Sequence, residues 1–227
     1  MIRDPAQSAS ITALGATPIV QSLETATFVD LSSTVRRINP DALVFCAGSG
    51  KQSFTDPTIT TKIDRNGAIK CFDAMAESGI TKRLIMLSVV DSRDRKLPAP
   101  EWYDETDKDA SDSLWAQLEG YMVAKFEADR DLVVNNARRG LQYTIVRPNW
   151  YSQDTVGSGR ISAGKIHVPV DARVSREDTA AVLAGCVEDD RTVGLIFDVT
   201  GGDVPVKDAL EGVVRDRVNV FKELYSQ

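Results

Sequence analysis

Apolar residues along the chain fall into short runs bounded by turn residues, and these alternate with longer stretches whose apolar positions recur at helical spacing. The short runs Thr17 to Val20, Ala42 to Cys46, Arg83 to Ser88, Tyr143 to Arg147 and Leu195 to Val199 predict strands. Between them, Thr58 to Ser78 carries Ile59, Ile63, Ile69, Phe72 and Ala76 at roughly helical spacing, and Asp112 to Asn135 is a second long amphipathic stretch. Further helices are expected at Ala6 to Leu14, Leu31 to Ile38, Ser175 to Glu188 and Val206 to Leu224, the third opening with Ser175-x-x-Asp178, a capping-box variant. Strands alternating with helices predict βαβ units, an α/β fold with a mostly parallel sheet. Two segments break the alternation: charged, Pro-containing Asp91 to Asp112, and Gly/Ser-rich Gln153 to Lys165. Both are expected to be loops, where binding groups concentrate. No internal repeat or low-complexity tract is present, so neither a solenoid nor a disordered tail is indicated.

Length and charge narrow the picture. At 227 residues with 42% hydrophobic content, the chain is most economically one domain over 1–227. Its 33 acidic and 27 basic residues give a net charge of −6, with no basic stripe, which argues against a nucleic-acid partner. Cys46, Cys71 and Cys186 are odd in number, far apart and set in apolar stretches. Buried free thiols, a reducing compartment and no thiolate metal site are therefore expected. The start, Met1-Ile2-Arg3-Asp4-Pro5, has no apolar core of a signal peptide, and no window reaches the roughly 18 continuous apolar residues of a membrane span. These features predict a soluble, cytoplasmic protein.

The sharpest chemical signal is Tyr121-Met-Val-Ala-Lys125 on an expected helix. Positions i and i+4 share a face, bringing phenol and ammonium together, and a nearby cation would draw a phenol pKa of about 10 toward the working range. A tyrosine at the core edge beside a solvated lysine gives the same spacing. Arg83-Leu-Ile-Met-Leu-Ser88 is an apolar strand ending in a hydroxyl, so Ser88 is either at the ligand-bearing carboxyl edge of the sheet or a polar strand end or helix cap. Ala42-Leu-Val-Phe-Cys-Ala-Gly48 runs into a glycine that either admits a ligand against the backbone or makes a turn. His167 is the only histidine, too little for a Ser-His-Asp or His-rich metal centre. The acidic cluster Glu101 to Asp112 matches no Ca²⁺ loop and reads as a solvated face, so no metal is expected. Trp102, Tyr103 and Trp115 flank the charged insertion and either close over the site or pin the insertion.

In order along the chain, these pieces resemble the short-chain dehydrogenase/reductase superfamily, and more closely its atypical, NmrA-like and epimerase-like branch. The resemblance rests on Arg3-Asp4-Pro5, Gly15-Ala16-Thr17, Phe45-Cys46-Ala47-Gly48, Asp64-Arg65-Asn66-Gly67-Ala68, Leu87-Ser88, Tyr121-x-x-x-Lys125, Tyr143-Thr-Ile-Val-Arg147-Pro148 and Thr200-Gly201-Gly202. It implies a Rossmann-like, doubly wound fold binding NAD(P), with Arg3 placed to hold the 2′-phosphate of NADP. It also implies Ala47 and Gly48 beside the adenosine ribose, Asp64 and Gly67 on the adjoining helix, and Pro148 and Asn149 beside nicotinamide. Tyr121 would exchange the substrate proton, Lys125 would hold the cofactor ribose and lower the phenol pKa, and Ser88 would orient the substrate oxygen. Trp150 and Tyr151 would form an apolar substrate wall or pack in the core.

The chain departs from that family at its start. The family's first strand and its Gly-rich G-x-x-G-x-x-G turn, where pyrophosphate meets a helix N-terminus, have no counterpart, since Met1 falls at the family's second strand. Gln21-Ser22 stands where Gly-Asp is common. The reading is thus of an N-terminally truncated domain that holds NADP(H) weakly or not at all. Three functions follow: an NADP-dependent oxidoreductase or epimerase on a small carbonyl or hydroxyl compound; an NmrA-like cofactor sensor with a protein partner; or an incomplete domain with neither activity.

Overall fold

The computed structural model describes the chain apart from residues 51–55, 57, 154, 155, 169–172 and 222–227. At its centre is a six-stranded sheet in the order β1 (Ala42–Phe45), β2 (Arg83–Leu87), β3 (Gln142–Pro148), β5 (Ile196–Gly201), β4 (Arg160–Gly164), β6 (Val204–Pro205). β1, β2, β3 and β5 run parallel, and β4 and β6 join them antiparallel. Side chains alternate across each strand, so Leu84, Met86, Ile145 and Ile196 enter one core while Ile85, Val146, Phe197 and Val199 enter the other. The first core takes Leu31 from α2 (Phe28–Ile38), Phe72 from α4 (Asn66–Ser78) and Leu132 from α5 (Glu105–Val134); the second takes Val182 from α7 (Arg176–Glu188) and Leu210 from α8 (Val206–Arg215). Helices on both faces of a mostly parallel sheet make the doubly wound, Rossmann-like α/β arrangement.

Local signals set the helix ends. Thr27 and Asp30 form a reciprocal capping box at the start of α2, which stops at Asn39 in the left-handed region (φ 53°). A second capping box, Asp104 with Asp107, opens α5. That helix therefore begins at Glu105, inside the stretch expected to be a loop. It breaks once, at Leu118 (φ −129°, ψ 27°), just before Tyr121. The helix expected from Thr58 is α3 (Thr58–Thr60), a π-helical turn Thr61–Arg65 and α4 in succession.

Other expectations are corrected. Thr17 to Val20 is not a strand: Val20 makes one isolated parallel bridge to Ile2, with Ile2 N–H bonded to the Ile19 carbonyl and Gln21 N–H to the Ile2 carbonyl. A single facing residue cannot extend a ladder. The helix expected from Ala6 to Leu14 is a 3₁₀ turn Pro5–Gln7 followed by α1 (Ser8–Ala13), with no buried residue in either. The helix expected from Val206 to Leu224 ends at Arg215, and residues 222–224 of its expected range lie outside the described residues. Gln153 to Lys165 contains β4, whose Ile161 is fully buried. Glycine at 202 lets β4 approach closely, since a Cβ there would lie 2.3 Å from Ser162 Oγ. Too short and too rich in small residues, the segment shows no alternation that marks a strand.

β1 is at the edge of the sheet. Ile85 and Val146, on the face that α7 covers, are buried, whereas Val44 of β1 is 41% exposed.

The insertion after β2 is organised around Asp91, a buried residue at φ 58°. Its carboxylate accepts from Arg93 Nε (2.8 Å), Tyr103 Oη (3.2 Å), Ser111 Oγ (2.6 Å) and Trp115 Nε1 (3.0 Å). Trp102 Nε1 donates to the Ile166 carbonyl at 3.0 Å. All three aromatics thus pin the insertion. The acidic cluster is likewise not a solvated face throughout: Asp107 is buried and accepts from Val168 N–H (2.7 Å) and contacts His167 Nδ1 (2.5 Å).

Candidate active site

Three neighbouring parallel strands end on the same edge of the sheet, so the segments that follow them converge, as expected where a doubly wound sheet binds ligands. β1 leads into Cys46, Ala47 and Gly48; β2 into Ser88; β3 into Asn149, Trp150 and Tyr151. With Tyr121 and Lys125 of α5 they enclose a cavity of about 440 Å³, to which Asp64, Pro148, Leu114, Leu118 and Arg176 also contribute. Of the residues singled out from sequence, Ser88, Tyr121, Lys125, Ala47, Gly48, Asp64, Pro148, Asn149, Trp150 and Tyr151 are brought to this one cavity. Arg3 lines a second cavity of about 450 Å³ with Gln7, Gln21 and Glu24, which meets the first along Cys46, Ala47 and Gly48. Gly67 is brought to neither; it packs in the helix layer, where a Cβ would touch Leu23 at 3.4 Å.

Lys125 is buried and held on three sides. Its ammonium donates to the Leu87 carbonyl at 3.1 Å, lies 3.5 Å from Asp64 Oδ1, and sits 5.8 Å from the centre of the Tyr121 ring. The π-helical turn carries Asp64 into the interior, where its other oxygen accepts Ser49 N–H at 3.0 Å. A π turn inside a helix commonly marks a functional position. Burial opposes the charge on Lys125, but Tyr121, Asp64 and Asp129 outweigh it and hold the pKa above its ordinary value.

The Tyr121 phenol is pushed up, not down. Burial is the main cause, Lys125 pulls the other way, and Asp64 and Asp129 add to the rise. The spacing alone suggested the opposite, because it showed the cation and hid the carboxylates around it.

Ser88, 3% exposed, donates its hydroxyl to Asp129, as does Ser92 at 3.3 Å. Asp129 is fully buried and was missed in the sequence, although it extends the Tyr121, Lys125 stripe by another four residues. Beneath it Arg147 and Asp198, both buried, pair at 3.2 Å, and burial pushes the Asp198 carboxyl up to about 6.

Two further residues differ from expectation. Cys46 is exposed, unlike buried Cys71 and Cys186, because it lies just past β1 at the seam of the two cavities. Enough of its thiol is enclosed for burial to raise its pKa, with Lys125 opposing. Arg176, unremarked in the sequence, stacks over the Tyr151 ring at 4.6 Å. Asp104, Asp107 and His167 also place three possible ligand atoms within 4.8 Å of one another, but both carboxylates already cap α5.

A crossover sheet with glycine, lysine and carboxylate groups at its carboxyl edge defines a Rossmann-type protein. The NAD(P)H-binding family profile matches residues 1–190, and the chain belongs to that family, within the atypical short-chain dehydrogenases/reductases. It is 35% identical over 214 residues to UPF0659 protein C216.03 of Schizosaccharomyces pombe, covering 94% of this chain and 83% of that one. It is 32% identical to YhfK of Bacillus subtilis, named as an uncharacterized sugar epimerase, covering 93% and 85%. A solved Bacillus halodurans structure, provisionally named as an NAD-dependent epimerase/dehydratase, superposes with a TM-score of 0.73 at 31% identity, covering 93% and 86%. Among the described residues no helix is long and apolar enough to cross a membrane.

Proposed function

We propose that the protein is an NADP(H)-dependent oxidoreductase or epimerase acting on a small carbonyl or hydroxyl compound. The observation that carries this reading is the meeting of Tyr121, Lys125 and Ser88 in one cavity beside Gly48 and Asn149. The residues lining the two cavities fit the nicotinamide and ribose end of the cofactor, while the sequence carries no Gly-rich turn for its pyrophosphate: a Cβ at Gly48 would lie 3.1 Å from Asp64 Oδ1, so the missing side chain keeps the passage between the two cavities open. Bound there, the nicotinamide would give or take a hydride.

The protein's own groups supply the rest. A phenol above its usual pKa is protonated at neutral pH, so Tyr121 is ready to donate to a carbonyl oxygen being reduced. Lys125, kept charged among Tyr121, Asp64 and Asp129, offers an ammonium to the ribose hydroxyls and to the oxygen of Tyr121. Ser88 donates its hydroxyl hydrogen bond to Asp129 and so presents lone pairs to the cavity, which suits a substrate hydroxyl as donor. Trp150 and Tyr151 wall the substrate side. Arg3, 3.1 Å from Glu24, would exchange that carboxylate for the 2′-phosphate, favouring NADP over NAD. Free thiols suit the reducing cytoplasm.

The test is NADPH titration by intrinsic fluorescence, followed by turnover of a panel of small aldehydes, ketones and alcohols at 340 nm. Tyr121→Phe is expected to keep NADPH affinity and lose turnover, and Arg3→Ala to weaken NADPH without weakening NADH. Failure of NADPH to bind would overturn the reading. A second reading, a cofactor sensor with a protein partner, draws support from the Ser88 hydroxyl already donating its hydrogen bond to Asp129. For a sensor, Tyr121→Phe leaves partner binding and its response to NADPH unchanged.

A further inference from the structure

Arg176 opens α7 at the rim of the main cavity, and its charge is not taken up by its neighbours. Glu177 accepts Gly157 N–H at 2.7 Å. Asp178 accepts Ser158 N–H at 3.0 Å and Gly159 N–H at 2.7 Å, as well as the Ser175 hydroxyl at 2.9 Å. Among the described residues no carboxylate forms an ion pair with Arg176; its contact is the Tyr151 ring, 4.6 Å away. The backbone that carries that ring is fixed. Tyr151 makes a parallel bridge to Val174, its carbonyl accepts from Arg173 at 3.3 Å, and Val174 leads directly into the Ser175 cap of α7.

Stacking on an aromatic face orients a guanidinium while leaving its in-plane N–H groups available, the geometry that grips a carboxylate or phosphate through two parallel hydrogen bonds. The other cation of the cavity, Lys125, is already committed to Asp64. The same cavity has apolar walls from Val89, Leu114, Leu118 and Trp150. The second cavity, with Arg3, does not include Arg176, so Arg176 belongs to the substrate side of the seam.

We propose that Arg176, held on Tyr151, anchors an oxyanion of the substrate, which is therefore an acid or phosphate ester whose reacting hydroxyl or carbonyl reaches Tyr121 across an apolar body. This rests on the reading of the main cavity as the substrate site, and it makes Arg176 the residue that selects charged over neutral compounds.

The experiment is calorimetric titration of the whole chain, with and without saturating NADPH, at constant ionic strength. The probes are benzoate, phenyl phosphate and benzyl alcohol, which share an apolar ring and differ in the anion. Both anions are expected to bind, and the alcohol about tenfold or more weaker, the scale of a charge-assisted pair. Arg176→Gln is expected to bring the anions down to the alcohol, and Arg176→Lys to restore part of the difference. The tighter of the two anions identifies the substrate's class. Equal binding of alcohol and anions, no binding of the anions, unchanged anion affinity in Arg176→Gln, or displacement of the anions by NADPH would overturn the proposal. NADPH affinity, measured on the same protein, reports separately on the cofactor reading, because the anion preference is also read without it.

Discussion

Ser88 donates its hydroxyl hydrogen bond to Asp129, a fully buried carboxylate one helical turn beyond Lys125. The strand end that carries Ser88 and the helix that carries Tyr121 and Lys125 are thus joined from behind the site by a group that does not line it. Asp129 also helps keep Lys125 charged, so it acts on both the hydroxyl and the ammonium.

Asp129→Ala leaves the hydroxyls of Ser88 and Ser92, 3% and 0% exposed, without their acceptor. Leaving buried donors unsatisfied costs about 1–3 kcal/mol. The urea midpoint is expected to fall accordingly, and Asp129→Asn, which keeps an acceptor oxygen, to fall less. Equal midpoints for Asp129→Ala and the parent chain would show that the bonds contribute nothing.

Gly48→Ala tests the passage between the cavities. The new methyl would stand 3.1 Å from Asp64 Oδ1, closer than ordinary contact, and Asp64 is itself held by Ser49 and Lys125. Cofactor affinity is expected to drop while the thermal midpoint changes little, since Gly48 is exposed and its backbone does not require glycine. Unaltered NADPH affinity would place the cofactor elsewhere.

Thiol chemistry offers a probe that needs no substrate. Burial pushes the thiols of Cys71 and Cys186 up to about 12, so they stay protonated and enclosed, while Cys46 is exposed at the seam of the two cavities. A disulfide reagent is expected to modify Cys46 first in the native chain, and NADPH to slow that reaction in proportion to its occupancy. Rapid native modification of all three thiols, or a rate indifferent to NADPH, would contradict this.

His167 ties the segment after β4 to the start of α5. Its pKa is raised above the usual value, chiefly by the hydrogen bond to Asp107. A raised histidine pKa in the folded state means stabilisation that is complete below the unfolded value of about 6.5 and is lost as pH rises through the folded value. Thermal midpoints measured across that window are expected to decline with pH in the parent chain and to decline less in His167→Gln. Because the imidazole is 63% exposed, solvent screening keeps the difference small. Parallel curves for the two chains would remove the tie.

The sequence by itself determined the α/β class, the central parallel strands and the helices that cover them, because runs such as Arg83 to Leu87 and the spaced apolar positions of α4 are local statements about which faces must leave water. It also marked Tyr121, Lys125, Ser88 and Gly48 as residues at strand ends or on one helical stripe. Only the tertiary structure decided what surrounds them. Asp64 arrives through a π-helical turn and Arg176 through the bridge between Tyr151 and Val174, neither of which is encoded in spacing; the spacing of Asp129 puts it on the stripe of Tyr121 and Lys125, but not against the Ser88 hydroxyl. The direction of the Tyr121 shift followed from that company, since a pKa depends on burial and on every charge within reach, not on the nearest lysine alone. β4 was hidden for a similar reason: a short segment rich in small residues becomes a strand only when β5 presents it with a ladder and a glycine clears the approach.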